Sequence, residues 1–503
     1  MKSKHNIEPK IFVPSILITS LTIFVMLFYQ TEAQSVISSI FTFMTHEIGW
    51  MYLAIILVFL CFSIWICCSK FGKIKLGEPD EKKEYSNWSW TAMMLTAGMS
   101  VAVVLLGFSE PIALLSSPPL GVEPMSNEAF QAAHMYEQFV EGFIAWSFYG
   151  PASVAVAYTI FIKKDSVLRL SNACKPVLGK YATKFPGHVI DVLVMLGMIG
   201  GISTSLGLGT PSITTFITYI FGIPSSLGLT LVIMLIWALI FGASVYMGLD
   251  AGIKRLSDLN LFILFGLAIM VAIAAPIMDI INMEFTSIGM LIDNFGDLTL
   301  GIGPFGTDTF TQDWTIFYWA WWISFMPMMA LFGARISRGR TIRELVLGNM
   351  VFGGGGCMII FGLFGGYSLY LQHSGTIDLV TILAESGSNN VIIAILETLP
   401  FANVVIFLVM ILIFLFLATT IDSTAYTLAS VCCVKLEADE QPVRWSRILW
   451  AGVLLLFSLC LVLIGGTSTV QTASIVLGFP LIFVSLIIMV SLRKMAKEHK
   501  YTK

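Results

Sequence analysis

Long apolar runs without a charged residue recur along this chain, for example at residues 11–29, 51–68 and 404–418. Runs of about twenty such residues match the hydrocarbon thickness of a bilayer. Hydrophobic residues make up 57% of the chain and charged residues 12%, against about a quarter charged in soluble proteins. This pattern argues against soluble enzymes, secreted disulfide scaffolds and nucleic-acid-binding proteins. It predicts an all-α polytopic membrane protein.

The apolar runs predict twelve transmembrane helices. Their edges are approximate, since boundaries are the least reliable part of such a prediction. The spans lie near 12–30, 49–69, 91–115, 139–162, 188–209, 226–248, 261–283, 315–334, 345–371, 401–428, 448–466 and 472–492.

The basic residues support this count. All 28 Lys and Arg residues fall in the N-terminus, in the loops after even-numbered spans, or in the tail. Positive residues mark the cytoplasmic face, so both termini are expected to be cytoplasmic. The same distribution leaves no Lys or Arg inside a predicted span.

Three spans carry polar or irregular interruptions: residues 97–102 in span three, 319–327 in span eight and 419–424 in span ten. Spans three and eight are five apart, as expected if spans 3–7 and 8–12 form two inverted five-helix repeats. Paired interruptions of this kind indicate a substrate site near the midplane of a secondary transporter. The alternative is that Gly and Pro are simply commoner in membrane helices.

Aromatic residues gather in the same spans. Trp146 and Tyr149 lie in span four, and Trp321 and Trp322 lie beside the Pro327 break in span eight. Aromatic faces attract cations, and quaternary ammonium groups are typical ligands of such boxes. Trp and Tyr also form belts at the membrane surface, which is the alternative for Trp314, Tyr318 and Trp319.

The chain resembles the betaine/carnitine/choline transporter family. The most specific stretch is FYWAWWISF at 317–325, continuing into ARISRGRTIRE at 334–344. Supporting matches are SEP at 109–111, SPP at 117–119, WSFY at 146–149, TSLGLG at 204–209 and DS at 422–423. The resemblance implies a leucine-transporter-like core preceded by two peripheral helices, and assembly as homotrimers.

This organisation predicts five parts. They are an N-terminus with two peripheral helices (1–90), a first repeat (91–283), an amphipathic extracellular linker (284–314), a second repeat (315–492) and a short basic tail (493–503).

The resemblance also implies a substrate site. Trp146, Tyr149 and Trp322 match three members of the family's aromatic box, whereas Glu141 replaces a fourth member, a tryptophan. Trp321 and Phe325 match positions lower in the permeation path. The glycine-rich stretch of span three reads Gly98, Ser100 and Ala102 here, with Ser and Ala in place of two glycines.

Glu141 is an acidic group inside a span, where charge is costly and usually partnered. One interpretation is a hydrated position near the extracellular end. The other is that Glu141 faces the substrate ammonium, which favours substrates with N–H donors, such as less methylated amines.

The coupling ion is a further expectation from the resemblance. Sodium would be held by the carbonyls of Thr96 and Met99 and the side chains of Thr419 and Thr420, since oxygen ligands suit a hard cation. Sodium-independent antiporters have an Arg at Asn260, which favours sodium here. These antiporters also have a Met at the position of Met329, and this match argues against sodium coupling.

The sequence therefore predicts a bacterial inner-membrane transporter that imports a betaine-, carnitine- or choline-type compound by sodium symport. A sodium-independent antiporter and an importer of a less methylated amine are the alternatives. Glu110 and Asp422 are read as structural groups. The six histidines lie outside the spans or at their ends and away from acids, so no catalytic residue, cofactor or metal beyond sodium is expected.

Overall fold

The computed structural model describes residues 7–98, 101–165, 167–247, 249–303, 309–436 and 441–501. At 96–98, 244–247, 249–257, 465–468 and 500–501 it describes the backbone alone. Helices dominate this part of the chain, and two isolated β-bridges are its only β-pairings.

The helices before the chain midpoint are numbered in order. They are α1 Pro9–Phe28, α2 Gln30–Thr42, α3 Trp50–Cys68, α4 Asn87–Gly98, α5 Ala102–Ser116, α6 Asn127–Glu141, α7 Phe143–Trp146, α8 Tyr149–Ala157, α9 Leu170–Ala173, α10 Lys175–Leu178, α11 Phe185–Phe221 and α12 Leu227–Met247.

The later helices continue this numbering. They are α13 Leu249–Ala274, α14 Ile277–Asp293, α15 Phe295–Leu300, α16 Ile316–Arg335, α17 Ile342–Leu347, α18 Gly355–His373, α19 Leu379–Ser386, α20 Ser388–Glu397, α21 Ala402–Val431, α22 Arg444–Gly478 and α23 Pro480–Tyr501. A π-helix, Gly348–Gly354, joins α17 to α18.

Nine helical segments in the described residues are long and apolar enough to cross a membrane, and one bent pair makes ten. The third predicted span corresponds to α4 with α5, and the sixth to α12, whose apolar part is Leu227–Ala243. The last two spans are Arg444–Ile464 and Thr469–His499. Every predicted span therefore falls on helix, and the all-α polytopic fold class is confirmed.

The straight part of the seventh span, predicted over 261–283, ends earlier in the structure. Helix α13 stops at Ala274, and α14 leaves it at an angle of 105°. Pro276 lies between the two helices, and proline disfavours helical backbone at the residue before it and lacks an N–H for the helical ladder. The new helix α14 packs against α6 and α18.

Helix contacts are related by a shift of five spans. A shift of five matches span four with span nine, and span three with span eight. Span four packs on span eight through α8 and α16, and the matching contact is made by span nine on span three through α18 and α5. Likewise span seven packs on span ten through α13 and α21, and the matching contact is that of span twelve, Thr469–His499, with span five, α11. Five is an odd number, so each span and its counterpart run in opposite directions across the membrane. This is the pattern of two inverted repeats.

The loop after span eight is clamped to the start of span three. Arg340, almost fully buried, donates to Asn87 Oδ1 at 3.0 Å and to the carbonyl oxygens of Tyr85 at 3.1 Å and Ser86 at 3.2 Å. Its guanidinium also lies 4.0 Å from the ring centroid of Trp90. The planar fork of arginine suits this combination of stacking and hydrogen bonding.

Arg340→Lys is expected to destabilise the protein by about 2 kcal/mol, because a single ammonium cannot reproduce buried charge-assisted hydrogen bonds to several acceptors. Thermal unfolding of purified protein measures the change. The matched control is Arg338→Lys in the same loop, where the side chain is 54% exposed and pairs with Glu81, and there we expect little change. Equal stability of the two variants would contradict the clamp.

A buried ion pair corrects the expectation that spans contain no basic residue. Arg447 lies in the first turn of α22, and its Nη2 is 2.9 Å from Oδ1 of Asp422 in α21. The two side chains are 1% and 4% exposed. Arg447 also stacks on Tyr426 at 5.6 Å, and the Tyr426 hydroxyl accepts from Arg335 at 3.1 Å. Spans eight, ten and eleven are thereby tied together.

Candidate substrate site

The fourth span is broken directly after Glu141. Helix α6 ends there, and Gly142 has φ −88° and ψ −152° before α7 begins at Phe143. A Cβ on Gly142 would overlap the carbonyl oxygen of Gln138 and lie 2.9 Å from Cγ of Met358. The close approach requires glycine, and the helical backbone is interrupted just before the segment that carries the next aromatic residues.

Three of the predicted box residues meet behind this break. The ring centroids of Trp146 and Tyr149 are 5.5 Å apart, those of Trp146 and Trp322 are 5.9 Å apart, and those of Tyr149 and Trp322 are 5.4 Å apart. All three side chains are buried. One pair is edge-to-face and the other two are tilted, so the rings form one compact aromatic cluster, the type of side chain that attracts an ammonium group.

The π-helix positions the ring of Trp146. A Cβ on Gly353 would overlap Cε3 and Cζ3 of that ring, so the indole packs directly on the backbone. Single-turn π-segments inside α-helices occur often at functional sites. The aromatic box therefore depends on a residue of span nine that has no side chain.

Gly353→Ala is expected to displace Trp146 and weaken ligand binding, because the added methyl group has no space. Overpacking of this kind costs about 1–3 kcal/mol. Ligand-induced thermal stabilisation measures the effect. Gly452→Ala is the control, since a Cβ there meets nothing within 4 Å. Unchanged binding in Gly353→Ala would contradict the proposed dependence of the box on this contact.

Trp321 and Phe325 lie on another face of α16. Trp321 Nε1 donates to the carbonyl oxygen of Gly201 at 3.2 Å, and its ring stacks on Phe317 with centroids 5.5 Å apart. Phe325 contacts Trp321 edge-on at 6.3 Å. These two predicted site residues face α11 and are not brought into the box.

The predicted residues of span three are partly outside the described part of the chain. Met99 and Ser100 are not described, and of Thr96 and Gly98 only the backbone is described, as the last turn of α4. Ala102 is buried at the start of α5. Helix α4 packs against α16 and the π-helix, so this interruption lies near the elements that carry the box.

The two threonines proposed to bind sodium are half-buried in α21. The Thr419 hydroxyl donates to the carbonyl oxygens of Phe416 at 2.9 Å and Leu415 at 3.1 Å, and the Thr420 hydroxyl donates to Phe416 at 2.8 Å. Both hydroxyl oxygens keep lone pairs, because a hydroxyl has one donor and two acceptor sites.

The two residues proposed to mark the coupling mode are buried. Met329 is in α16, and its carbonyl oxygen accepts from Ser153 at 3.4 Å. Asn260 is in α13, and its Oδ1 makes no hydrogen bond to the described residues.

Glu141 lies beside the box and belongs to a larger group of acids. It is buried and within electrostatic range of Tyr149 on one side and of Glu110 on the other. Glu137 lies in electrostatic range of Glu110, Glu141 and Glu284. The sequence pattern placed Glu137 before the fourth span and Glu284 in a linker. The signal that would have revealed Glu137 is its spacing of four residues from Glu141, which places both on one helix face.

His134 is a second functional group that the sequence interpretation missed. It was expected to lie away from acids, yet its Nε2 is 3.8 Å from Oε2 of Glu284. The same Nε2 is 3.0 Å from the carbonyl oxygen of Gly362, and Nδ1 is 2.8 Å from the Ser287 hydroxyl. A carbonyl oxygen only accepts, so Nε2 carries a hydrogen. The Ser287 hydroxyl donates to Nδ1 of the neutral ring or accepts from the protonated ring, so both ring nitrogens are hydrogen-bonded in either form.

Comparison with known proteins gives a distant structural likeness and a family. A solved Na⁺-coupled sialic acid symporter, in a substrate-bound outward-open state, is similar over 87% of this chain and 83% of its own, with 13% identity and a TM-score of 0.42. A likeness this low carries no conclusion about substrate or ion. The family model described as betaine/carnitine/choline family transporter matches residues 10–501. The chain is thus a membrane transporter of small molecules and not an enzyme, and it belongs to the betaine/carnitine/choline transporter family.

Proposed function

We propose that this protein imports a quaternary-ammonium compound of the betaine, carnitine or choline type by sodium symport. The observation that carries the proposal is the meeting of Trp146, Tyr149 and Trp322 in one buried box. A trimethylammonium group has no N–H to donate, so hydrogen-bond acceptors cannot select it. Aromatic faces bind it through their quadrupole, with about 2 kcal/mol for a desolvated contact.

Sodium coupling is supported by the oxygen ligands available from Thr419 and Thr420 and by the uncharged Asn260, at the position where sodium-independent relatives are expected to have a permanent cation. Met329 favours the alternative, a sodium-independent exchanger. We further propose homotrimers in a bacterial inner membrane with both termini in the cytoplasm.

The test is uptake of labelled choline, glycine betaine and carnitine into proteoliposomes. We expect accumulation with an inward sodium gradient and none with potassium in its place. Accumulation without sodium, and only into vesicles preloaded with unlabelled substrate, would establish exchange and overturn symport. Failure of all three compounds to be taken up in either format would overturn the proposed substrate class.

A second candidate substrate is a less methylated amine, and the observation that favours it is Glu141 at the position of a box tryptophan. A carboxylate accepts hydrogen bonds from N–H groups that a trimethylated nitrogen lacks. Glu141→Gln is expected to weaken uptake of dimethyl- and monomethylamine analogues more than uptake of the trimethylated compound. An unchanged ratio between these substrates would contradict a role of Glu141 in selection.

A further inference from the structure

Four carboxyl groups converge around the C-terminal half of α6. They form what we call the acidic cluster: Glu110 from α5, Glu137 and Glu141 from α6, and Glu284 from α14. Glu137 is fully buried, Glu110 and Glu141 are nearly so, and the Glu284 side chain is 24% exposed. Glu284 is therefore the member of the cluster that reaches the surface.

The cluster has no lysine or arginine counter-ion among the described residues. Both oxygens of Glu137 are buried without a hydrogen bond to this part of the chain, and buried Glu110 lies beside the Tyr318 hydroxyl, which can donate to it. No described lysine or arginine forms an ion pair with any of the four acids. The basic side chain in reach is His134, with Nε2 3.8 Å from Oε2 of Glu284, and its hydrogen bonds to Gly362 and Ser287 can be made without a charge on the ring.

A buried amide beside the cluster is also unsatisfied. Gln138 is 1% exposed, and neither its Nε2 nor its Oε1 has a hydrogen-bond partner in the described part of the chain. A Cβ on Gly362 would overlap Oε2 of Glu284 and lie 3.1 Å from Gln138 Nε2, so these two atoms point into one space. Unpaired buried polar atoms are costly. Their presence here indicates that the region holds a partner in the working protein.

Glycines of α18 create the space that the acids occupy. A Cβ on Gly365 would overlap Oε2 of Glu137, and one on Gly362 would overlap Glu284. Any larger residue at these positions would exclude the carboxyl groups from the helix interface. The packing of span nine therefore accommodates the carboxyl groups of the cluster inside the helix interface.

Electrostatics restricts the charge of this cluster. Buried carboxylates within range of each other repel, and each loses its hydration, so they cannot all be ionised without protons or a bound cation. The aromatic box adjoins the cluster through Glu141 and Tyr149. A substrate cation in the box therefore lies next to the same carboxyl groups that bind protons.

We propose that protons and a cationic substrate compete for the acidic cluster, so that binding of the substrate releases a proton held between Glu110 and Glu137. The inference rests on the proposed function, because it requires an ammonium group in the box. The O–H bond of one carboxyl group breaks, both electrons stay on the carboxylate, and the proton passes to water. Glu284, the partly exposed member of the cluster, is where the proton leaves for water.

The surroundings of the cluster contain few other titratable groups. They are His134 and Tyr136 of α6, Tyr149 of α8, Tyr318 of α16 and Cys357 of α18. Tyr136 donates to or accepts from Thr315 at 3.0 Å. None of these groups is a permanent cation, so protons and bound cations, including the substrate, are the positive charges that can compensate the acids.

The experiment is a proton-release measurement on the full-length protein in detergent. Choline is added to protein in weakly buffered solution that contains a pH indicator, and choline affinity is measured separately across pH 6–8. We expect about one proton released per bound choline, and an affinity that falls by up to about tenfold for each pH unit of acidification in the range where the cluster titrates. Glycine betaine, which adds a negative charge of its own, is expected to release less.

Variants identify the acid. Glu137→Gln is expected to bind choline with little proton release and a flattened pH dependence, and Glu137→Asp to retain both. Glu128→Gln is the control, because Glu128 is an exposed residue in the first turn of the same helix, and we expect wild-type behaviour.

The wild-type measurement alone is decisive if a variant fails to fold. Choline binding without proton release, at an affinity independent of pH, would overturn the competition and leave the proposed function standing. Absence of choline, betaine and carnitine binding at every pH would overturn the proposed function and this inference with it.

Discussion

Replacing Trp322 with leucine is expected to weaken choline binding about 30-fold. The indole of Trp322 supplies one of the three faces of the box and is nearly buried, so its contact with a cation is desolvated and worth about 2 kcal/mol. Leucine fills part of the volume but has no quadrupole. Trp322→Phe keeps a weaker aromatic face, and its affinity is expected to lie between those of wild type and Trp322→Leu. Equilibrium binding to purified protein measures the series.

Trp319→Leu separates the loss of the box from the loss of packing. Trp319 lies one turn earlier on α16, and its ring contacts Phe139 at 5.2 Å and Phe148 at 6.1 Å, outside the box. Both leucine variants lose buried aromatic area and are expected to unfold at lower temperature. Only Trp322→Leu is expected to change choline affinity below that temperature. Equal affinities of the two variants would contradict the assignment of Trp322 to the site.

Asp422→Leu is expected to destabilise the protein by about 3–5 kcal/mol, because it leaves the buried Arg447 guanidinium without its carboxylate. The effect is large since both side chains are almost completely removed from solvent. Thermal and chemical unfolding in detergent measure the change. Substrate affinity per folded molecule is expected to change little, because Asp422 lies in α21, whereas the box residues are carried by α7, α8 and α16.

The double variant Asp422→Leu with Arg447→Met provides the control for this pair. Replacement of a buried ion pair by apolar residues of similar volume is often neutral, so most of the lost stability is expected to return. A double variant as unstable as Asp422→Leu alone would show that Asp422 stabilises the fold through groups other than Arg447.

The sequence predicted the helices well because the bilayer imposes a long and simple pattern. About twenty apolar residues are needed to cross it, and each of the twelve runs lies on helix. The box was predictable in part for a local reason. Trp146 and Tyr149 are three residues apart, so a helix places them on one side, and the family resemblance supplied Trp322.

The acidic cluster was not predictable, because its burial depends on a bend in a different span. Glu137 precedes the apolar run of span four, so the sequence predicts that it lies in a solvent-exposed loop. In the structure α6 begins at Asn127, and α14 turns back at Pro276 to pack against it. Proline suggests a break, but the direction of the chain after it is set by tertiary packing.

Pairings between distant residues were also beyond the sequence. Arg447 lies at the edge of an apolar run, and its position in the sequence fits the positive-inside pattern of a cytoplasmic loop as well as it fits the first turn of a span. Its contact with Asp422 depends on how α21 and α22 pack. Similarly, Trp321 and Trp322 are neighbours in one motif, and only the position of α11 places the first of them away from the box.

The break at Gly142 separates the surroundings of an ammonium group into two rigid pieces. The carboxylate of Glu141 belongs to the end of α6, whereas the indole of Trp146 belongs to α7, which packs on the π-helix of span nine. One residue joins them, so rotation about its backbone bonds alters the distance from carboxylate to indole while each helix keeps its own hydrogen bonds. Hinges of this kind absorb large motions at few positions. A rotation at Gly142 would therefore alter how the two groups hold a cation without unfolding either helix.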